Sequence, residues 1–134
     1  MYTIRRTDDK ELFERLFKQV LPSDALPRAT ERWIARDADG APVGFASAFC
    51  DSAGNVFLSS AGVLPRARGA GLQRRLIRVR VNWARSIGAP KVYTYTVLKN
   101  YPSMISLIKA GFELYTPYYA YAGADAHYFL LNIR

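Results

Sequence analysis

The run Val63-Leu64-Pro65-Arg66-Ala67-Arg68-Gly69-Ala70-Gly71-Leu72-Gln73 sets a strand end, an Arg/Gly turn and a helix start in immediate succession. Free amides at a helix N-terminus bind anions, and glycines let a backbone come close to phosphate oxygens. Arg66 and Arg68 add positive charge at the same place. These residues describe a phosphate cradle. It lacks the Lys-Ser/Thr pair of a P-loop and the full glycine spacing of a dinucleotide fingerprint, which argues against ATP hydrolysis and hydride transfer.

The overall charge agrees with an anionic ligand. Nineteen Lys and Arg against eleven Asp and Glu leave a formal net charge of +8, which suits a nucleotide cofactor, a nucleic acid or an acidic protein. Other chemistries have too few residues. Cys50 is the one cysteine and His127 the one histidine, so neither an internal disulfide nor a zinc site is expected, and no metal is called for. Nothing near Cys50 in the sequence supplies a paired base, so it reads as a small buried residue rather than a nucleophile. Met1 to Asp9 becomes charged before any apolar run develops, and no stretch approaches the roughly 20 apolar residues of a membrane span. The expectation is a soluble cytoplasmic protein with no membrane partner. Its 134 residues, half of them apolar, fit a single domain over residues 1–134 that buries its own core.

The elements that must position the cradle follow from periodicity and turn residues. Tyr2–Thr7 alternates as a strand, and Asp8 with Glu11 is placed to cap a helix whose Leu12, Phe13, Leu16, Phe17 and Val20 share one face before Pro22. Residues 31–37, 42–49 and 56–63 read as three antiparallel strands joined by turns at Ala38–Ala41 and Ser52–Asn55. From Gly71 to Ser86 the period becomes helical, with Leu72, Leu76, Val79 and Trp83 on one face and Arg74, Arg78 and Arg85 opposite. Gly88 stops that helix. Lys91–Leu98 is β-branched and aromatic, Pro102–Ala110 is a short helix ended by Gly111, and residues 112–116 and 127–133 are late strands. The order βαβββαβαββ, with helices flanking a mostly antiparallel sheet, is an α+β or mixed α/β architecture.

Val63-x-Pro65-x-x-Arg68-Gly69-x-Gly71, an amphipathic helix, a strand, and then Asn100-x-x-Ser103 with Lys109-Ala110-Gly111-Phe112 resemble the GNAT superfamily of acetyl-CoA-dependent N-acetyltransferases. The element order matches that fold along nearly the whole chain, most strongly from Val56 to Phe112. The resemblance implies a mixed, mostly antiparallel GNAT-like sheet and acetyl-CoA as the acetyl donor. It also implies that the amides from Arg68 through Gly69, Ala70, Gly71 and Leu72 to Gln73, with Arg66 beside them, hold the pyrophosphate of CoA. Ala61, Gly62 and Val63 then pair through their backbone with the pantetheine arm, and Asn100 and Ser103 lie near the thiol.

Three departures stand out against the family pattern. Gln73 stands where the usual motif has Gly or Ala, at a helix position whose side chain can point outward. Leu107 occupies the position of the tyrosine that many members use to protonate the leaving thiolate, and leucine has no proton to give. No glutamate falls within Val56–Val63, where some members keep a general base. Ser59, Ser60, Tyr101, Ser106 and Tyr115 are the nearby polar candidates. Direct transfer needs little more, since a thiol with a pKa near 8.5 leaves readily and an amine can lose its proton through water. The acceptor amine, of a small molecule or a protein, is expected between the loop Leu21–Thr30 and the Tyr-rich loop Tyr115–Asp125. There Asp24 and Asp125 attract a cation and Tyr118, Tyr119 and Tyr121 offer apolar faces, unless those tyrosines merely pack the sheet edge.

Plainer readings account for several other residues. Arg74, Arg78 and Arg85 form a solvated face rather than a nucleic-acid stripe, with no aromatic interleaved. His127 opens the last strand as a structural histidine, although its titration range keeps it a candidate base. Trp33 and Trp83 sit on apolar faces as core. The rival functions are a CoA-binding module without turnover, and a nucleic-acid-associated protein using the basic helix face.

Overall fold

The computed structural model describes residues 1–134. It runs β1 (Thr3–Arg6), α1 (Lys10–Val20), β2 (Glu31–Arg36), β3 (Pro42–Cys50), β4 (Val56–Val63), α2 (Leu72–Ser86), β5 (Lys91–Val97), α3 (Tyr101–Lys109), β6 (Glu113–Leu114) and β7 (Ala126–Asn132). A 3-10 turn at Pro65–Ala67 links β4 to α2. The strands form one seven-stranded sheet in the order β1-β2-β3-β4-β5-β7-β6, antiparallel throughout except at β4–β5. The mixed, mostly antiparallel sheet with flanking helices is the architecture expected from the sequence.

Both early hairpins are closed by an aspartate just ahead of the turn. Asp37 Oδ1 accepts from the Asp39 and Ala41 N–H groups, and Asp51 Oδ1 from those of Ala53 and Asn55. Such Asx geometry offers the backbone a turn in place of a ladder. Helix α1 is capped by Asp9, whose side chain accepts from Leu12 N–H at 3.0 Å; the expected cap, Asp8, lies one residue too early. Strand β6 is shorter than the expected 112–116. Phe112 turns into the core, and pairing ends at Leu114↔Phe129 with one further bond, from Tyr115 N–H to Tyr128 O at 3.0 Å.

The sheet separates two apolar layers. On one face Phe13, Leu16 and Phe17 of α1 pack on Ile34 and Phe45, with ring centroids 5.4 and 5.5 Å from that of Phe45. On the other, Leu72, Leu76 and Ala84 of α2 and Leu107 of α3 cover Trp33, Ala35, Ala46 and Ala48. Helix α2 therefore lies across the sheet with its N-terminus following directly from the end of β4.

The feature that matters for function is a fork between β4 and β5. Their parallel pairing is limited to Val56↔Val92 and Phe57↔Tyr93. Along the β3–β4 ladder, Ser47 pairs with Ser60 but Ala48 with Leu58, leaving Ser59 as an extra residue. A bulge of this kind bends its strand and increases local twist. Beyond it β4 leaves β5 for the rest of its length.

Candidate functional site

The fork opens a cleft of about 850 Å³ between β4 and β5, walled by α2 on one side and by the start of α3 on the other. Its backbone polarity follows from strand alternation. Leu64 N–H donates to Val43 on β3 at 2.8 Å, so two residues at a time Gly62 and Ser60 also face β3, while Ala61 and Val63 turn their N–H and C=O groups toward the gap. Arg68 Nε donates to the Val63 carbonyl at 3.2 Å. The Ala61 groups and the Val63 N–H face a space with no opposing strand.

At the α2 end of the cleft the backbone N–H groups from Gly69 to Arg74 have no protein acceptor, and the first closing bond is Arg75 N–H to Gly71 O at 3.2 Å. Gly71 is the N-cap residue at φ +79°, and no side chain caps the helix. Gly69 also has positive φ, and a Cβ at either glycine would meet open space. Both glycines are therefore required by backbone conformation, not by crowding within the protein. The result is a row of exposed donors at the positive end of a helix macrodipole, open to an anion.

Three features line the interior. Thr94 Oγ1 donates to the Leu58 carbonyl at 2.8 Å, tying β5 to β4 where their ladder ends. Thr96, one pleat further on the same face, is 4% exposed, and its Oγ1 has no hydrogen-bond partner. A buried unpaired hydroxyl is costly to keep. Arg80 of α2, also 4% exposed, donates from Nε to Leu76 O at 3.0 Å and from Nη1 to Ser47 O at 3.3 Å and Ser60 O at 3.4 Å. Burial pulls its pKa down to about 9.

The sequence-derived site residues divide clearly by position. Ser60, Ala61, Gly62, Val63, Arg68, Gly69, Gly71, Leu72, Gln73, Asn100, Ser103 and Ser106 all line the cleft, as do Ser59, Leu107 and Asp24. Ala70 is exposed between the two cradle glycines. Arg66 turns away, donating to Asp37 Oδ2 at 3.0 Å, and that contact holds the Asp37 carboxyl below its ordinary value. Tyr101, Tyr118 and Tyr119 are exposed, and Asp125 is exposed on the loop before β7; none of them lines the cleft. Tyr115 and His127 line a separate, more open hollow of about 430 Å³.

Tyr121 instead joins an aromatic wall with Phe57, Tyr93, Tyr95 and Tyr128 on the sheet face that carries α1. Burial raises the Tyr121 hydroxyl well above its usual range, with Tyr115 adding to the effect. Burial and the 2.9 Å bond to Asp51 do the same for Tyr93. Neither is suited to give up a proton near neutral pH.

Sequence reasoning missed Arg80, Thr94 and Thr96. The positions Leu72, Leu76, Arg80 and Ala84 recur every four residues, so the spacing alone puts an arginine on the buried face of α2. Alternation along β5 puts both threonines on the side of Val92.

The acetyltransferase (GNAT) family profile matches residues 1–112. No curated protein sequence gives a significant match. Among solved structures, an IAA acetyltransferase from Bacillus cereus superposes with a TM-score of 0.80 at 15% identity, covering 99% of this chain and 100% of that one. An acetyltransferase from Salmonella typhimurium with its cofactor acetyl-CoA gives 0.76 at 19% identity, covering 99% and 94%. The ribosomal-protein-S18-alanine N-acetyltransferase from Escherichia coli gives 0.78 at 17% identity, again covering 99% and 94%. At these identities the structures establish a shared fold, and the profile establishes the lineage: the chain belongs to the acetyltransferase (GNAT) family.

Proposed function

We propose that the protein is a single-domain cytoplasmic N-acetyltransferase that binds acetyl-CoA in the β4–β5 cleft and passes its acetyl group directly to an amine. The observation that carries this reading is the coincidence of two unsatisfied backbone surfaces in one cleft: the free amides from Gly69 to Arg74, and the Ala61 groups with the Val63 N–H facing the gap. The first suits a pyrophosphate and the second an amide-bearing arm. Thr96, with its buried unpaired hydroxyl, stands on the β5 wall of the same cleft.

In this reading Arg68 and the amides through Gln73 hold the diphosphate, while Asn100 and Ser103 flank the thiol end. The Ala61 N–H polarises the thioester carbonyl, as a backbone donor aimed at developing negative charge can. Attack forms the C–N bond and breaks the C–S bond, and the proton lost by nitrogen leaves through water. Ser60 and Ser106 are the cleft hydroxyls available to order that water, whereas Ser59 Oγ is hydrogen-bonded to Ser47 Oγ at 2.8 Å. Tyr101 and Tyr115 stand outside it, so neither is assigned a proton, and Leu107, buried in the core, fills its position by packing. No metal is needed for any step.

The acceptor approaches from the face opposite α2, because α2 and the diphosphate occupy the other. Asp24 lines the cleft on that side and would draw in a cationic amine, with Tyr118, Tyr119 and Asp125 on the outer loop. Related structures support amines of differing size: one is a nourseothricin acetyltransferase, another the NatC complex bound to Gag peptide and CoA. The test is thiol release from acetyl-CoA in the presence of a panel of small polyamines, free lysine and short peptides. Release that depends on an amine supports the reading. Acetyl-CoA binding without release for any amine would favour a CoA-binding module instead.

A further inference from the structure

We propose that Arg80 is a positioning residue for acyl transfer: it holds and polarises the Ser60–Ala61 peptide so that the Ala61 N–H is a strong donor to the thioester carbonyl oxygen. The inference rests on the cleft being the acetyl-CoA site.

Arg80 stands where the pattern of α2 asks for an apolar residue, between Leu76 and Ala84 on the buried face. A guanidinium taken out of water without a carboxylate is expensive to keep. No acidic group pairs with it; its partners are three backbone carbonyls. Two of these, Ser47 O and Ser60 O, belong to the residues at which the β3–β4 register slips. The charge is thus spent at the bulge that opens the cleft.

The direction of the effect follows from peptide geometry. The protein has no cis peptide bonds, so the carbonyl of Ser60 and the N–H of Ala61 point in opposite directions across one planar unit. Arg80 draws on the carbonyl from the α2 and β3 side, and the N–H projects toward the gap left by β5. Hydrogen bonds in series polarise one another, so a cation on the carbonyl strengthens donation from the N–H. When an amine adds to the thioester carbon, the carbonyl π pair moves onto oxygen. Collapse of that adduct expels sulfur with the C–S pair, and the nitrogen's proton passes to water. Leu107 offers no proton at this point, so stabilising the oxygen's negative charge is the assistance these residues can give.

The experiment uses the intact protein with acetyl-CoA labelled with 13C at the thioester carbonyl, and reads the infrared carbonyl stretch of the bound donor alongside its dissociation constant. Native protein should shift the stretch to lower frequency than in solution. Arg80→Met should lose most of that shift while affinity changes by less than about threefold, well under 1.4 kcal/mol. Arg80→Lys, which keeps the charge but not the paired donors, should recover part of it and serves as the arbiter should the methionine variant not fold. An unchanged stretch in a folded, donor-saturated Arg80→Met or Arg80→Lys protein overturns the proposal. So does loss of shift and affinity together, which is the signature of a merely structural role. If native protein does not bind acetyl-CoA at all, the functional reading fails rather than this inference.

Discussion

Thr94 of β5 donates its hydroxyl to the carbonyl of Leu58 on β4 at 2.8 Å, at the last point where the two strands remain in contact. Two residue pairs of ladder precede it, and past it the strands separate. A side chain has replaced a backbone donor at the apex of the fork. Thr94→Val keeps the shape and removes the donor, leaving a buried carbonyl unpaired. It should lower stability by about 1 to 3 kcal/mol, read as a fall in the urea midpoint at unchanged slope. A midpoint equal to that of the native protein would show that the staple carries no weight.

Thr96 should respond in two opposite directions. Its hydroxyl is buried and unpartnered in the free protein, so Thr96→Val should raise the stability of the free protein, by up to about 1 kcal/mol. The same change should weaken acetyl-CoA binding several-fold if the hydroxyl meets the pantetheine arm. Thermal unfolding with and without acetyl-CoA measures both, because a ligand stabilises the native state by mass action. A variant that is more stable free and equally stabilised by acetyl-CoA would remove Thr96 from the binding surface.

The two arginines of the cradle should separate cleanly. Arg68 lines the cleft and Arg66 does not, so Arg68→Ala should weaken acetyl-CoA binding by about 1 to 3 kcal/mol through loss of a charge-assisted contact. Arg66→Ala should leave it unchanged in calorimetric titration. Arg66→Ala should instead let the Asp37 carboxyl, now held low mainly by that arginine, titrate nearer the ordinary value of about 3.9. For a depressed carboxyl the stabilisation is present above the unfolded value and is lost as pH falls through the folded one. The native protein should therefore lose more stability on the acid side than the variant, in which the backbone bonds from Ala41 and Asp39 remain, and NMR titration of Asp37 should show its carboxyl titrating higher in the variant.

Gly71 is held at φ +79° with open space around it. A β-branched residue pays the left-handed penalty, roughly 1 to 2 kcal/mol, and brings methyl groups toward the free amides. Gly71→Val should fold with reduced stability and lose measurable acetyl-CoA affinity, whereas Gly54→Ala, in the β3–β4 turn at φ +84°, should cost stability alone. Retained affinity in Gly71→Val would mean that the diphosphate lies elsewhere.

Most of the fold could be read from the sequence because the signals were local. The spacing of Leu12, Phe13, Leu16 and Phe17, the alternation in 31–63 and the glycines at 69, 71 and 111 each declare an element or its end. The cradle was legible for the same reason, being one contiguous segment. What escaped notice depends on distant pairing. The bulge at Ser59 exists only relative to the register of β3, and the loss of a partner for Thr96 depends on how far β5 lies from β4. Arg66 and Arg68 look alike in sequence, and only the folded position of Asp37 tells them apart. The Tyr-rich loop left two readings open, a wall of the acceptor site or packing on the sheet edge, and sequence could not show that Tyr121 packs on the sheet while Tyr118 and Tyr119 stay exposed.

In the proposed reading one cleft binds the diphosphate, the pantetheine arm and the thioester of acetyl-CoA. A crystal structure of the protein with acetyl-CoA tests it most directly. The diphosphate should lie within hydrogen-bond distance of the amides between Gly69 and Arg74, the arm between β4 and β5, and the thioester oxygen at the Ala61 N–H. Acetyl-CoA bound outside the fork, or with its diphosphate away from the α2 N-terminus, would contradict it.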